Sequence, residues 1–347
     1  MQLRASLNRT TALLRSKILP DVKSQDSPVI SDLTVDEDAA GQRLDNFLIR
    51  QLKGVPKTHV YRIIRSGEVR INKGRASAET RVETGDEVRL PPVRVSEKVA
   101  EKAAHPAPGR EFPILLEDDS LMAINKPSGV AVHGGSGVSF GVIEQLRQAR
   151  PEAKLLELVH RLDRDTSGIL LVAKKRSALK HLQDQFRERE TGKTYLALVK
   201  GDWPAKLKVI DQPLHKFLLP DGERRVRVTT PEDPDGMRSI TLVKVAQRLP
   251  GASLLEVTIK TGRTHQIRVH LASQGHPIAG DDKYGDFEWN RQLQRPGASP
   301  GLKRMFLHAW RLQFNHPVTA ERVALQADLP SELKAYVDHA QRKTPPV

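Results

Sequence analysis

Asp163 and Asp165 stand two residues apart inside "HRLDRDTSG", residues 160–168, with Arg161 and Arg164 between and beside them. Paired carboxylates suit acid–base or nucleophilic work on a glycosidic bond. The same residues could also make a salt-bridged turn in which the arginines only neutralise the acids. The flanking runs, "LELV" and "GILLVAKK", are apolar and β-like, so the polar stretch is a connection between core strands. Connections of that kind are where functional side chains concentrate. Gly168 permits a tight backbone turn, and the hydroxyls of Thr166 and Ser167 can bond local backbone or neighbouring carboxylates.

A second constellation lies in "TIKTGRTHQIRVHLASQGHPIAGDDKYG", residues 258–285, where Arg263, His265, Gln266, Arg268 and His270 follow a turn at Thr261-Gly262. Arginine is permanently charged and can hold a carboxylate through two parallel bonds. Beside a buried aspartate it favours the ionised form that a nucleophile needs. His265 and His270 are five apart, which suits neither usual helical ligand pair, and the chain has no cysteine. No metal site is expected. "HRLD" is also not the catalytic loop of a protein kinase: Lys174 follows Asp163 instead of preceding it, and no D-F-G occurs.

These residues need a scaffold. At 347 residues the chain has room for about two domains. From about Glu111 to Ala335, β-like runs ("SLMAINK", "TYLALVKG", "SLLEVTIK") alternate with helical patterns ("GVIEQLRQARP", "RSALKHLQDQFRER"), which indicates a mixed α+β fold. A charged excursion, "DGERRVRVTTPEDPDGM", is expected as a surface loop or hairpin. Residues 336–347 are expected to be a loose C-terminal tail. Residues 96–110, rich in Ala, Pro, Glu and Lys, are expected as a linker.

Ahead of it, residues 37–95 form a smaller block. Leu44, Phe47, Leu48 and Leu52 repeat at helical spacing, a second helix is predicted over "KTHVYRIIRSG", and short strands "EVRIN" and "DEVRLP" follow. From Arg43 to Arg75 the bases are Arg43, Arg50, Lys53, Lys57, Arg62, Arg65, Arg70, Lys73 and Arg75, against only Asp45 and Glu68. Such clustering, in a chain of net charge +14, points to a polyanion partner, nucleic acid above all. Residues 1–36 begin with a basic segment carrying Arg4, Arg9, Arg15 and Lys17, read as a disordered tail on a bacterial cytoplasmic protein, with organellar targeting left open. No apolar run is long enough to span a bilayer. Nothing points to a dimer, so a monomer is expected.

The motifs carry a resemblance. "HRLDRDTSG" resembles the H-R-L-D-x-x-T-S-G signature of the RluA-type pseudouridine synthases. "LLEDDSLMAINKPSGVAVHGG", "GKTYLALVKG", "TGRTHQIRVHLASQGHPIAGDDKYG" and "FLHAWRLQFNHP" resemble further family segments in the same order. The basic block resembles an S4 RNA-binding module. The resemblance covers roughly residues 37–335. It implies a pseudouridine synthase catalytic fold, a largely antiparallel mixed sheet with flanking helices, behind a small S4-like domain. It implies that Asp163 is the nucleophile, with Asp165 at a variable position, that Tyr195 stacks on the target base, and that Arg268 pairs with the nucleophile. Arg161, Thr166, His265 and Gln266 are then substrate-binding, and Arg43, Lys57, Arg62, Arg65, Arg70 and Lys73 face RNA.

The implied partner is RNA, most closely large-subunit ribosomal RNA. The implied reaction breaks the N1–C1′ bond of a flipped-out uridine and remakes it at C5, with Asp163 attacking either C1′ or the uracil ring. No redox change occurs, so no cofactor is expected. Two rivals remain: a non-catalytic RNA-binding or ribosome-assembly factor on the same fold, and a glycosidase or nucleosidase. The second leaves the basic helical module without a purpose.

Overall fold

The computed structural model describes residues 32–52, 55–93, 107–134, 140–295 and 300–342. It divides into two compact units, Met1–His105 and Pro106–Val347. The basic tail before residue 32 and most of the expected linker lie outside the described residues. Among the described residues no helix is long and apolar enough to cross a membrane.

In the first unit, helices α1 (Leu44–Gln51) and α2 (Lys57–Arg65) form where the sequence spacing places them. Their apolar faces bury Leu44, Phe47, Leu48, Val60, Ile63 and Ile64 in one core with Val69, Val82 and Val88. Beside them lie four short strands, β1 (Asp32–Thr34), β2 (Arg70–Ile71), β3 (Gly74–Arg75) and β4 (Glu87–Arg89), in the order β1-β4-β2-β3. The boundary expected at residue 37 is therefore corrected: β1 pairs with β4 and Val35 is buried, so the unit begins within the segment expected to be tail.

The second unit is built on one ten-stranded sheet. Its strands are β5 (Ile114–Glu117), β6 (Leu121–Lys126), β7 (Glu157–Leu158), β8 (Ser167–Ala173), β9 (Gly192–Lys200), β10 (Val209–Asp211), β13 (Ile240–Leu249), β14 (Ala252–Ile259), β15 (Leu307–Asn315) and β16 (Arg322–Gln326). The main order is β10-β13-β14-β9-β15-β8-β6-β5, with β7 on β8 and β16 on β15. Every pairing is antiparallel except β15 with β8. A separate hairpin, β11 (Leu214–Leu218) with β12 (Arg224–Val228), accounts for much of the charged excursion.

Strand β8 is buried at every position, as its unbroken apolar run requires. Successive side chains go to opposite faces. Leu170 and Val172 pack with α3 (Val142–Ala149), while Ile169, Leu171 and Ala173 pack with α4 (Arg176–Glu188). Further along the sheet, Val243, Leu255 and Val257 meet Ile267 and Leu271 of α5 (Gln266–Ser273).

Two expected boundaries move here. Residues 107–110 are tied to the second unit at both ends rather than free linker: Ala107 is buried and the Arg110 N–H donates to the Gln145 carbonyl (3.3 Å), while 108–110 are exposed. The tail expected from 336 is the body of a helix, Ser331–Arg342. Leu333, Tyr336, Val337 and Ala340 repeat at three and four, and they dock on a cluster containing Leu249, Leu302 and Phe306.

The parallel contact of β15 with β8 explains the last residue of the central motif. Gly168 has φ +112°, and a Cβ there would lie 2.3 Å from the Ala309 carbonyl oxygen. Only glycine lets the two backbones meet. Gly168→Ala is expected to cost about 2 kcal/mol or more, seen as a lowered midpoint in thermal or urea unfolding.

Candidate active site

The connection between β7 and β8 is tied down by its backbone. Lys126 is fully buried, and its Nζ donates to the carbonyls of Pro127 (2.9 Å), Val130 (2.7 Å) and Arg164 (2.9 Å). Three acceptors use all three ammonium protons, while burial pushes the group down to about 7. Ser128 donates to the Asp165 carbonyl (2.7 Å) and the Gly129 N–H to the Arg164 carbonyl (2.9 Å). On the other flank His160 accepts from the Leu171 N–H (3.1 Å) and stacks on Phe186. Burial pushes its pKa down to about 4, so the ring is a neutral spacer at neutral pH. The loop is thereby fixed and Asp163 projects from it.

The start of α5 is fixed from below by Gln266. Its amide oxygen accepts from the Thr261 hydroxyl (2.8 Å) and the Arg263 N–H (3.1 Å). Its NH2 donates to the Ile240 carbonyl and the Thr241 hydroxyl, both at 3.0 Å. Gln266 lines the cavity, but all four bonding positions of its amide are used inside the protein, so its side chain clamps the turn instead of offering a free hydrogen bond. His270 is likewise consumed, between Thr241 and the Gln212 carbonyl.

Two residues along from Gln266, Arg268 reaches three carboxylates. Its Nε and Nη2 donate to Asp281 at 2.7 Å each, its Nη1 donates to Oδ2 of Asp163 at 3.3 Å, and Nη2 lies 3.4 Å from Asp282. Sequence reasoning paired Arg268 with Asp163 alone; the shorter, bidentate pair is with Asp281. That residue is 1% exposed and also accepts from the Lys283 and Tyr284 N–H groups. Burial opposes its charge, but the bonds and charge of Arg268 outweigh burial and lower its pKa. Burial also opposes the charge on Arg268, and Asp281 first, then Asp163, more than restore it.

The turn holding Asp281 depends on Gly280, whose φ is +74° and whose Cβ would lie 2.2 Å from the Arg304 carbonyl oxygen. Asn290, on α6 (Phe287–Gln294), accepts from the Gly280 N–H (2.8 Å) and donates to the Asp281 carbonyl (2.9 Å). The tandem acids were the available signal for this anchor; what they lacked was a partner, which lies thirteen residues away in the chain.

Asp163 opens onto a cavity of about 490 Å³ lined also by Arg161, Thr166, Lys193, Tyr195, Arg263, His265 and Arg268. That is a volume typical of small-ligand sites. Tyr195, on β9, packs in the apolar clusters on either side of it, and burial, then the charge of Asp163, raises its hydroxyl pKa. Arg161 is exposed at the rim, where its guanidinium donates to the Thr264 hydroxyl (3.3 Å). Asp165 points elsewhere: it pairs with Arg164 and does not line the cavity.

The six basic residues singled out in the first unit differ in their surroundings. Lys57, Arg65 and Lys73 are exposed, with no ion pair among the described residues. Arg70 is half-buried. Arg62 pairs with Glu68 (3.1 Å). Arg43 is committed to the buried Asp45 (2.9 Å), which also accepts from Tyr61, so it closes the helix pair as much as it faces solvent.

Residues 120–273 match the RNA pseudouridylate synthase family and residues 42–88 match the S4 domain. A Salmonella typhi protein named ribosomal large subunit pseudouridine synthase C is 52% identical over 322 residues, spanning 92% of this chain and 99% of its own. The protein of that name from Escherichia coli K12 is 54% identical over 313 residues, 89% and 96% of the two chains. The chain belongs to the RNA pseudouridylate synthase family. Among solved structures, human RNA pseudouridylate synthase domain containing 4 superposes with a TM-score of 0.54 at 26% identity, over 66% of this chain and 93% of that one. The resemblance seen in the sequence, the mixed, largely antiparallel catalytic fold and the S4 domain all stand, and the chain is a pseudouridine synthase.

Asp281→Asn should test the anchor. Losing one carboxylate of a buried ion network is expected to destabilise the fold by about 3 kcal/mol. It should lower single-turnover kcat roughly a hundredfold, with RNA affinity in filter binding nearly unchanged.

Proposed function

We propose that this synthase isomerises uridines of large-subunit ribosomal RNA in the bacterial cytoplasm, with Asp163 as the nucleophile on a uridine flipped out of the RNA. The carrying observation is the placement of Asp163: its Oδ2 is held by Arg268 while the carboxylate faces a cavity of nucleoside scale. Both Arg268 and His265 approach Oδ2, at 3.3 and 4.0 Å, which leaves Oδ1 as the oxygen available to attack in this reading. The target, large-subunit RNA, is supported by the names of the bacterial relatives, which this chain matches over almost their whole length.

The remaining roles follow from position. Tyr195 offers an aromatic face to the flipped base, and stacking of that kind is worth ~1–3 kcal/mol. Arg161, exposed at the rim and bonded to Thr264, fills or braces the gap left in the RNA stack. Thr166 walls the cavity beside Asp163. When N1–C1′ breaks, the uracil turns within the cavity, C5 bonds C1′, and the C5 proton is released while N1 gains one. The exposed Lys57, Arg65 and Lys73, with the half-buried Arg70, contact phosphates; Arg43 and Arg62, already paired with carboxylates, contribute less.

Carbodiimide-adduct primer extension on unmodified large-subunit ribosomal RNA tests this reading. Stops are expected with wild-type protein and with Asp165→Asn, and none with Asp163→Asn, which should still bind RNA. Equal loss in both variants would remove Asp163 from its role. Stops that persist in Asp163→Asn would do the same.

A further inference from the structure

Tyr284 joins three parts of the second unit. Its hydroxyl lies 3.0 Å from the Val226 amide nitrogen in β12 and 2.9 Å from Nδ1 of His265. An amide N–H can only donate, so the hydroxyl oxygen accepts from Val226, which occupies one lone pair and leaves its one proton free to be donated to Nδ1 of His265. An imidazole whose Nδ1 accepts carries its proton on Nε2 when neutral. Burial favours the neutral ring: it lowers the His265 pKa, against the charge of Asp163 and with the charges of Arg268 and Lys283. Nε2 is the atom nearest Asp163, at 4.0 Å from Oδ2, and the ring lines the cavity.

The supports on both sides are stiff. His265 sits in the left-handed region, φ +53°, which a non-glycine residue occupies only when its surroundings hold it there. The Tyr284 ring lies 5.2 Å from the Arg268 guanidinium and packs with Leu214, Val226 and Val269.

We propose that Tyr284 is a positioning residue that locks His265 in the Nε2–H tautomer, so that His265 presents a hydrogen-bond donor to the carbonyl oxygens of the uracil beside Asp163. This rests on the reading of the cavity as the uridine site. Uracil O2 and O4 are acceptors, and negative charge spreads onto them as the N1–C1′ bond breaks, so a fixed donor gains strength at that moment. The other tautomer would turn a lone pair toward those oxygens and toward the Asp163 carboxylate. The hairpin is thereby part of the active site, because the Val226 N–H is what directs the Tyr284 proton to His265.

Long-range 1H–15N spectra of the full chain, labelled with 15N-histidine, read the tautomer without any substrate; His265→Gln identifies the signals. Wild type is expected to show a protonated Nε2 and a bare Nδ1, and Tyr284→Phe a shift toward mixed tautomers. On RNA, Tyr284→Phe should lower kcat about tenfold, the worth of one ordinary hydrogen bond. KM should stay within about twofold, and the substitution should add nothing further to His265→Ala. An Nδ1–H signature in wild type overturns the proposal. So does a raised KM at unchanged kcat, which assigns the hydroxyl to the hairpin alone, or full additivity with His265→Ala. An Nε2–H signature in a protein that leaves RNA unmodified would overturn the uridine reading while supporting the tautomer lock.

Discussion

One guanidinium holds this candidate site together. Arg268 is almost fully buried, and removing it from water is tolerable only because Asp281 meets it with two short bonds and Asp163 with a third. The inequality of those contacts matters. Asp281, at 2.7 Å and out of solvent, fixes the fork; Asp163, at 3.3 Å and 28% exposed at its side chain, is steadied by the same fork yet stays open to the cavity. A guanidinium is flat and cannot serve two carboxylates at right distances unless all three groups are placed to within about half an ångström.

Much of the second unit supplies that placement. Asp163 comes from the β7–β8 connection, Arg268 from the first turn of α5 and Asp281 from the turn before α6. Each is secured by a different device. Lys126 and Ser128 grip the carbonyls of Arg164 and Asp165. Gln266 closes the start of α5 onto β13. Asn290 straps the turn at Gly280-Asp281. Gly168 lets β15 close onto β8 directly beneath the loop. These are buried polar groups with their partners satisfied, which makes for a rigid frame more than for net stability.

What could be read from the chain was what is local. The helices Lys57–Arg65 and Arg176–Glu188 follow from apolar spacing alone, and β8 from an unbroken apolar run. The pairing of Asp163 with Arg268 came through motif resemblance. The anchor did not, because which carboxylate Arg268 prefers depends on how two turns meet in space, and Asp281 and Asp282 look alike in sequence. Gln266 resembled a substrate ligand for the same reason: its four partners come from two separate segments, Ile240-Thr241 and the turn at Thr261–Arg263. The helix at Ser331–Arg342 was legible in principle, through Leu333, Val337 and Ala340, but its polar residues masked a stripe that only the cluster around Phe306 makes meaningful.

Arg268→Lys tests the central claim most directly, because lysine keeps the charge and removes the fork. Measured as the single-turnover rate of pseudouridine formation on the RNA, with folding checked by thermal unfolding, the lysine variant is expected to fall more than about a hundredfold, close to Arg268→Ala. A lysine variant that keeps near wild-type turnover would mean that positive charge suffices, and would contradict the claim that one arginine spanning Asp281 and Asp163 sets the geometry of the reaction.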